Sequence, residues 1–249
     1  MLNRWFLFIR SVLFYFGYFF ATVVISTLGT TLFVLLPQRL RFTLYRGWCR
    51  FVLIWLRLTC GVRYEVEGME NIPNHPVVTL STHQSAWETI FLYYAVSPVC
   101  PILKKELLGI PFWGWAMSMQ RPIAIDRSKP REAGKTLLVE GRARLQEGLS
   151  VVIFPEGTRS PAGTVKPFSR GGAKLAVTAN TPVLPVIHNA GFCWPAHTMI
   201  KQPGVIRIRF GELLPVTGKS STEVTDAFSI WVAENMAVIT TDNHGQTTS

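Results

Sequence analysis

A run of 28 residues without a charged side chain, between Arg10 and Arg39, constrains this chain more than any other feature. As a single helix the run would extend about 42 Å, compared with about 30 Å for the hydrocarbon core of a bilayer. It could therefore cross a membrane with tilt, or enter and return near Gly29 or Pro37. A cleaved secretory signal would have a shorter apolar core followed by a cleavage site with small residues. The run predicts an uncleaved membrane anchor.

Positive charge is concentrated next to this apolar run. Residues 1–63 contain eight arginines and neither lysine nor acidic residues, whereas the rest of the chain carries 17 basic and 15 acidic side chains. Basic side chains beside an apolar stretch favour the anionic headgroups of lipids. Nucleic-acid binding is not indicated, because no basic patch is interleaved with a recognition motif. We expect the lipid bilayer to be a partner and nucleic acid not to be one.

A second apolar stretch, from Trp48 to Cys60, carries Arg50 and Arg57 on nearly one helical face. This pattern is typical of a helix in the membrane interface with its arginines at the headgroups. An amphipathic helix packed on the rest of the protein would have the same pattern, so both alternatives stay open. Residues 1–63 are therefore predicted to form N-terminal membrane-anchoring helices.

From residue 64 onward, short β-rich runs alternate with helical stretches, which predicts an α/β domain over residues 64–239. Its sheet is expected to be mostly parallel and flanked by helices, and the polar residues 240–249 are predicted to form a flexible tail. In such sheets ligands bind at the carboxyl ends of the strands. The predicted strands are 77–80, 99–103, 123–125, 151–154, 183–187 and 205–210, and the predicted helices are 86–96, 131–147, 172–179 and 222–238.

The first polar motif, Thr82 to Glu88, directly follows a predicted strand and contains His83. In a continuous helix His83 and Glu88 would diverge by about 140°. If His83 lies in the turn and Glu88 in the first helical turns, the side chains can converge. A carboxylate that orients an imidazole produces a general base for a hydroxyl nucleophile. A helix-capping turn with an incidental histidine explains this motif better when it is taken alone.

The second motif, Phe154 to Ser160, follows another predicted strand. Gly157 permits close approach of the backbone, Thr158 offers a hydroxyl, and Arg159 offers the two-pronged donor that suits a phosphate. A polar surface turn is the alternative. The four cysteines lack a CxxC pair and histidine partners, so neither a metal site nor a disulfide is expected.

Together these motifs resemble those of the glycerolipid acyltransferases, the family typified by bacterial 1-acyl-sn-glycerol-3-phosphate acyltransferase. The resemblance covers about residues 65–215 and departs from the family pattern at two points. The usual aspartate of the first block is Glu88 here, and the glycine often found before Ile-Asp-Arg is replaced around Arg121-Pro122. The four blocks occur in the family's order: His83 with Glu88, Lys104 to Leu107 leading to Ile125-Asp126-Arg127, Phe154 to Ser160, and Val183 to Val186.

The resemblance implies a role for each matching residue. His83 would deprotonate the acceptor hydroxyl, and Glu88 would orient His83. Pro185 and Val186 would be acyl-facing or structural, whereas His188 and His197, which lack a carboxylate at a useful spacing, are expected to have packing or surface roles. The residues implied to bind the substrate phosphate are Arg159, Glu156, Gly157, Thr158, Lys105 and Arg127.

The resemblance also implies a reaction. A fatty acyl chain would move from acyl-CoA or acyl carrier protein to the sn-2 hydroxyl of lysophosphatidic acid, giving phosphatidic acid without a metal or cofactor. The catalytic domain would lie on the cytoplasmic face of the inner membrane, where the acyl donor is made. Two alternatives stay open: an acyltransferase for another lysolipid or for glycerol 3-phosphate, and a non-catalytic lipid-binding membrane protein.

Overall fold

Two long helices precede the sheet. A computed structural model describes residues 3–32, 35–126 and 128–240, and its first helix, α1, runs over Arg4–Leu32. The second helix, α2, runs over Gln38–Cys60; it begins after Pro37 and ends at Gly61, which has the left-handed backbone conformation common at helix ends. The two helices pack against each other.

α1 carries the apolar run and exposes most of it. Within the described residues one helix is long and apolar enough to cross a membrane, over Arg4–Gly29, with a mean hydropathy of 1.8 and 17% of its apolar window buried. Trp5, Phe16, Phe20 and Val23 are among its exposed side chains. An apolar surface of this size on one helix indicates association with a membrane.

α2 lies against the body of the protein. It packs on α1 and on helix α3 (Trp87–Ala95). Arg50 and Arg57 are exposed on its outer side. The structure therefore shows α2 packed on the protein through one face, while its outer face carries both arginines and exposed apolar side chains such as Leu58. The buried face of α2 consists of Phe42, Cys49, Val52, Leu53, Leu56, Thr59 and Cys60.

The body of the protein is an α/β domain, as predicted. The strands are β1 (Val62–Glu67), β2 (Val78–Ser81), β3 (Val99–Cys100), β4 (Ile102–Lys104), β5 (Ile123–Ile125), β6 (Ser150–Ile153), β7 (Val183–His188) and β8 (Gly204–Phe210). The helices after α3 are α4 (Trp113–Ser118), α5 (Pro130–Gln146), α6 (Gly171–Thr178) and α7 (Ser221–Thr240). The main sheet has the strand order β1-β8-β7-β2-β6-β3, in which β7 and β8 pair antiparallel and the other neighbours pair parallel.

The structure departs from the predicted elements at several places, and β1 and α4 were not among the predicted elements. The predicted strand 99–103 is divided at Pro101, and its second half, β4, pairs with β5 in a separate two-stranded sheet. The predicted boundary between residues 63 and 64 falls within β1, which pairs with β8. At the other end α7 continues through Thr240, and residues 241–249 of the predicted tail lie outside the described residues.

The central strands β2, β6 and β7 are buried on both faces of the sheet, which is why they read as continuous apolar runs. One face packs against α2 and α3 through side chains that include Leu56, Trp87 and Phe91. The other face packs against α5, α6 and α7 through side chains that include Leu145, Leu175 and Phe228. All four cysteines are free and buried.

A buried lysine attaches α1 to the α/β domain. Lys201 is 1% exposed, and its Nζ donates to the Tyr15 hydroxyl at 2.9 Å and to the carbonyl oxygens of Thr198 and Met199 at 2.9 and 2.8 Å. Its ammonium group also lies 5.1 Å from the centre of the Trp194 ring, and its main-chain N–H donates to the Ser11 hydroxyl. These contacts fix the rotation of α1 about its own axis.

We expect Lys201→Met to change how stability depends on pH. Burial lowers the pKa of Lys201 from its ordinary value of 10.5 to about 8, so the unfolded chain binds this proton more tightly than the folded one. The wild-type free energy of unfolding should therefore rise relative to that of the variant between pH 8 and 10, by about 2 kcal/mol. Urea unfolding in detergent micelles at pH 7.5 and 9.8 measures this difference. If the free energies of unfolding of the wild type and of Lys201→Met changed equally with pH, Lys201 would not be desolvated in the folded protein.

Candidate active site

The two polar motifs meet because their strands are neighbours. β2 and β6 pair parallel, with Leu80 opposite Ile153, so the loops that follow them leave the sheet at the same edge. The main-chain N–H of Ser160 donates to the His83 carbonyl at 2.7 Å, and the rings of His83 and Phe154 stack with their centres 4.2 Å apart. The loop that contains His83 and the loop from Phe154 to Ser160 therefore pack directly against each other.

The structure brings His83 and Glu88 together. His83 lies in the turn after β2, Glu88 is the second residue of α3, and His83 Nδ1 lies 2.8 Å from Glu88 Oε1. The same oxygen accepts the main-chain N–H groups of Gln84 and Ser85 at 2.9 and 2.7 Å. Because a carboxylate accepts, the histidine proton lies on Nδ1, and Nε2 keeps its lone pair. The geometry is that of an oriented general base.

Glu88 is fully buried, yet its surroundings favour the ionised form. Burial by itself raises the pKa of a carboxyl group, but His188, the His83 ring and the Ser85 N–H together lower the pKa of Glu88 below its ordinary value. The carboxylate is therefore anionic at neutral pH and lies where it would stabilise a positive charge on the His83 ring.

Glu156, which the resemblance placed among the phosphate-binding residues, has a supporting position in the structure. Its Oε1 accepts the main-chain N–H of His83 at 2.7 Å, and its Oε2 accepts the Ser160 hydroxyl and the main-chain N–H of Lys166, the latter at 3.0 Å. With both oxygens engaged, the carboxylate holds the loop and the His83 backbone. We therefore assign Glu156 to the loop and not to the phosphate.

We expect Glu156→Gln to lower the free energy of unfolding by about 2 kcal/mol, because the amide directs N–H groups at a buried N–H donor. Displacement of the His83 backbone should lower kcat at least about tenfold with little change in the acceptor KM. Thermal unfolding and steady-state kinetics measure the two effects. A lower acceptor KM with unchanged stability would instead show that the carboxylate repels a bound phosphate.

The rest of the second motif faces open space. Gly157 has φ +72°, a conformation that favours glycine, and a Cβ there would meet no atom within 4 Å. The exposed Lys166 Nζ donates to Thr158 Oγ1 at 2.8 Å and to the Arg159 carbonyl at 3.1 Å, which braces the loop. Within the described part of the chain Arg159 Nε is buried without a hydrogen-bond partner. Arg159 is therefore available to an acceptor in the cavity.

A cavity of about 550 Å³ connects the motifs to α1 and α2. His83, Arg159, Lys104 and His197 contribute its basic groups. The remaining lining is mostly apolar, and the N-terminal helices supply part of it. The lining residues outside the two motifs include Tyr18, Thr22 and Ile25 of α1, Tyr45 and Trp48 of α2, Ile90 and Tyr93 of α3, Leu103 of β4, and Trp113, Ala116 and Met117 of α4.

The remaining predicted site residues have different positions. Lys104 lines the cavity. Lys105 lies near Asp126. The pKa of Asp126 is lowered mainly by hydrogen bonds from Ser128 and, to a smaller extent, by the charges of Lys129 and Lys105. Arg127 lies outside the described residues. Pro185 and Val186 are buried in β7, where they accept the main-chain N–H groups of Gly211 and Thr82, a structural position.

Several residues near the site were not predicted to belong to it. Among them, His197 and Tyr18 line the cavity, and His188 is buried behind Glu88. The sequence did not indicate that α1 lines the cavity, because a helix that is apolar on all sides does not reveal which side faces the rest of the protein. His188 had one signal, its position at the carboxyl end of a central strand.

Within residues 3–32, 35–126 and 128–240, no group of three or more His, Cys, Asp or Glu side chains is arranged to hold a metal ion.

Comparisons with known proteins find relatives of this chain. The Acyltransferase family model matches residues 63–189. The chain is 46% identical over 235 residues to a 1-acyl-sn-glycerol-3-phosphate acyltransferase of Pseudomonas aeruginosa, which covers 93% of this chain and 91% of that protein. It is 34% identical over 140 residues to the human 1-acyl-sn-glycerol-3-phosphate acyltransferase alpha, covering 55% of this chain and 50% of that one.

A solved structure has the same fold. The crystal structure of the 1-acyl-sn-glycerophosphate acyltransferase PlsC from Thermotoga maritima superposes with a TM-score of 0.77 and covers 97% of each chain, at 24% sequence identity. The family model and the long match to the Pseudomonas protein decide the family. The chain belongs to the acyltransferase family and, within it, to the 1-acyl-sn-glycerol-3-phosphate acyltransferases.

Proposed function

We propose that this chain transfers a fatty acyl group from an acyl thioester to the free sn-2 hydroxyl of lysophosphatidic acid, giving phosphatidic acid. The observation that carries the proposal is that one cavity contains three complementary parts. These parts are the histidine oriented by Glu88, His83; the basic side chain of Arg159, whose Nε lacks a hydrogen-bond partner among the described residues; and an apolar wall. An acceptor of this reaction has a hydroxyl, a phosphate and an acyl chain, which these three parts complement.

The chemical step uses His83 as the base. Nε2 takes the proton of the acceptor hydroxyl as its oxygen attacks the thioester carbonyl carbon, and Glu88 stabilises the imidazolium. The tetrahedral intermediate collapses with cleavage of the carbon–sulfur bond, and the thiolate takes the proton back from His83. The products are phosphatidic acid and a free thiol, and His83 returns to its starting form. The proposed step uses no bound metal or cofactor.

Arg159 holds the acceptor phosphate in this proposal, with Gly157, Thr158 and Lys104 around it. The guanidinium has the planar fork that binds a phosphate through two hydrogen bonds, and its Nε is otherwise unpaired in the described residues. Lys104 shares the cavity lining with Arg159. Lys105 and Arg127 remain candidates for a second contact.

The membrane helix has a further part in the proposed function. α1 exposes apolar side chains outward and lines the cavity through Tyr18, Thr22 and Ile25. A lipid acceptor in the bilayer can therefore reach His83 without being fully extracted into water. We place the catalytic domain on the cytoplasmic side of the inner membrane, where an acyl-CoA or acyl carrier protein donor is available.

The proposal is tested with protein purified in detergent. Release of free thiol from oleoyl-CoA or oleoyl-acyl carrier protein is followed with and without 1-oleoyl-lysophosphatidic acid, and the lipid product is identified by mass. We expect thiol release that depends on the acceptor and yields phosphatidic acid. Faster turnover with another lysolipid or with glycerol 3-phosphate would assign a different acceptor, and folded protein inactive with every pair would leave a lipid-binding role.

A further inference from the structure

His188 is a buried histidine at the carboxyl end of β7, directly behind the base. Its exposed fraction is 0%, and it is absent from the cavity lining, so it does not meet substrate. Its Nε2 lies 2.9 Å from the Thr82 carbonyl oxygen, and its Nδ1 lies 3.2 Å from the main-chain nitrogen of Ala190. The ring therefore connects the end of β7 to the residue that precedes His83.

These two contacts determine the form of the imidazole. A carbonyl oxygen only accepts, so Nε2 carries the hydrogen, and the Ala190 N–H only donates, so Nδ1 carries the lone pair. A proton on Nδ1 would oppose the Ala190 N–H. The Nε2–H of His188 thus lies on the side of the active-site loop.

The Nε2–H of His188 also lies near the second oxygen of Glu88. The distance from His188 Nε2 to Glu88 Oε2 is 4.0 Å. Whereas Oε1 accepts three hydrogen bonds, Oε2 is buried without a hydrogen-bond partner in the described residues. The positive end of the Nε2–H dipole therefore lies beside the less stabilised oxygen of the carboxylate.

We propose that His188 is a positioning residue that holds the His83 loop through Thr82 and directs its Nε2–H dipole at the Glu88 carboxylate. The inference rests on the proposed function, in which Glu88 orients His83. His188, Glu88 and His83 then form a row in which only His83 exchanges protons with substrate.

Two neighbouring groups beside His188 in the described residues are uncharged. β8 presents Ile208 opposite His188, and the Asn189 side chain bonds the Ile239 carbonyl of α7. On the side of the active-site loop a second carboxylate, Glu156, accepts the His83 main-chain N–H. Glu88 is therefore the charged group that His188 contacts through its Nε2–H side.

Two variants separate the two contacts of His188. The glutamine introduced by His188→Gln can place its amide nitrogen where Nε2 lies and donate to Thr82, whereas the asparagine introduced by His188→Asn can place its oxygen where Nδ1 lies and accept from Ala190. We expect His188→Gln to keep kcat within about threefold and His188→Asn to lower kcat about 30-fold, with acceptor KM unchanged in both. The exposed His75→Gln is the matched control.

The pH profile supplies a measurement that a packing role would not change. Loss of the Nε2–H dipole makes the surroundings of the base more negative, so the acidic limb of the kcat/KM profile should move to higher pH in His188→Asn and stay in place in His188→Gln. Equal losses in both variants with an unmoved limb, or better activity in His188→Asn, would overturn the proposal.

Imidazole ¹⁵N NMR of the protein in micelles keeps this test independent of the acyl-transfer assay. The His188 signals, identified by their loss in the variants, should be those of an imidazole that carries its hydrogen on Nε2. The Nδ1 signal of His83, which reports its hydrogen bond to Glu88, should change in His188→Asn and stay in place in His188→Gln. If the wild type transferred no acyl group, the proposed function would fail, and these spectra would still decide whether His188 acts on the Glu88–His83 pair.

Discussion

Replacement of His83 by alanine is expected to lower kcat about 10³-fold and to leave the KM for both substrates within a few-fold. His83 is the group in the cavity that is both oriented by a buried carboxylate and provided with a free ring nitrogen. Without it the acceptor hydroxyl must lose its proton to water. Initial rates of thiol release at saturating donor and acceptor measure the change.

A double-variant comparison makes this prediction sharper. In the proposed mechanism Glu88 acts through His83, so His83→Ala combined with Glu88→Ala should be no slower than His83→Ala alone. The exposed His75→Ala controls for loss of a histidine, and thermal unfolding controls for loss of the fold. A His83→Ala variant that kept more than about a tenth of the wild-type kcat would assign the base elsewhere.

Replacement of Arg159 by alanine should raise the acceptor KM and lower kcat/KM for lysophosphatidic acid about 10²- to 10³-fold. Two charge-assisted hydrogen bonds to a phosphate contribute about 3 to 4 kcal/mol together, which corresponds to a factor of this size. Arg159→Lys should recover only part of the loss, because an ammonium group cannot bind the phosphate through a planar fork.

Selectivity between acceptors distinguishes a phosphate contact from general damage. The ratio of kcat/KM for lysophosphatidic acid to that for monoacylglycerol should fall about 10²-fold in Arg159→Ala, while the donor KM stays close to that of the wild type. Arg131→Ala, at an exposed position on α5, is the matched control. A loss of equal size for both acceptors would show that Arg159 supports the loop and does not bind the phosphate.

The fold was largely predictable because its elements have local sequence signals. Strand runs such as 77–80 and 151–154, together with the helices between them, follow from β-rich and helical patterns that depend on neighbouring residues alone. The antiparallel placement of β8 and the division of 99–103 at Pro101 were not predicted. Both depend on which strand a segment pairs with, and pairing is a long-range choice.

The site was predictable to a lesser extent. The convergence of His83 and Glu88 follows from a strand–turn–helix sequence and needs no distant contact. The sequence does not show whether Lys104 or Lys105 faces the cavity, because adjacent residues at a strand end point to opposite sides. The place of Glu156 beneath the His83 backbone also required the tertiary structure, since the two partners are 73 positions apart in the chain.

The sequence was enough to indicate that an apolar, arginine-flanked segment precedes an α/β domain with two polar motifs at strand ends, because periodicity, charge and turn chemistry are local. Tertiary packing was needed to show that α1 forms a wall of the cavity and that His188 lies behind Glu88. Those positions depend on contacts between residues far apart in the chain, such as Lys201 with Tyr15 and His188 with Thr82. Local sequence carries no record of such contacts, because they arise only when the packed elements exclude water from a shared core.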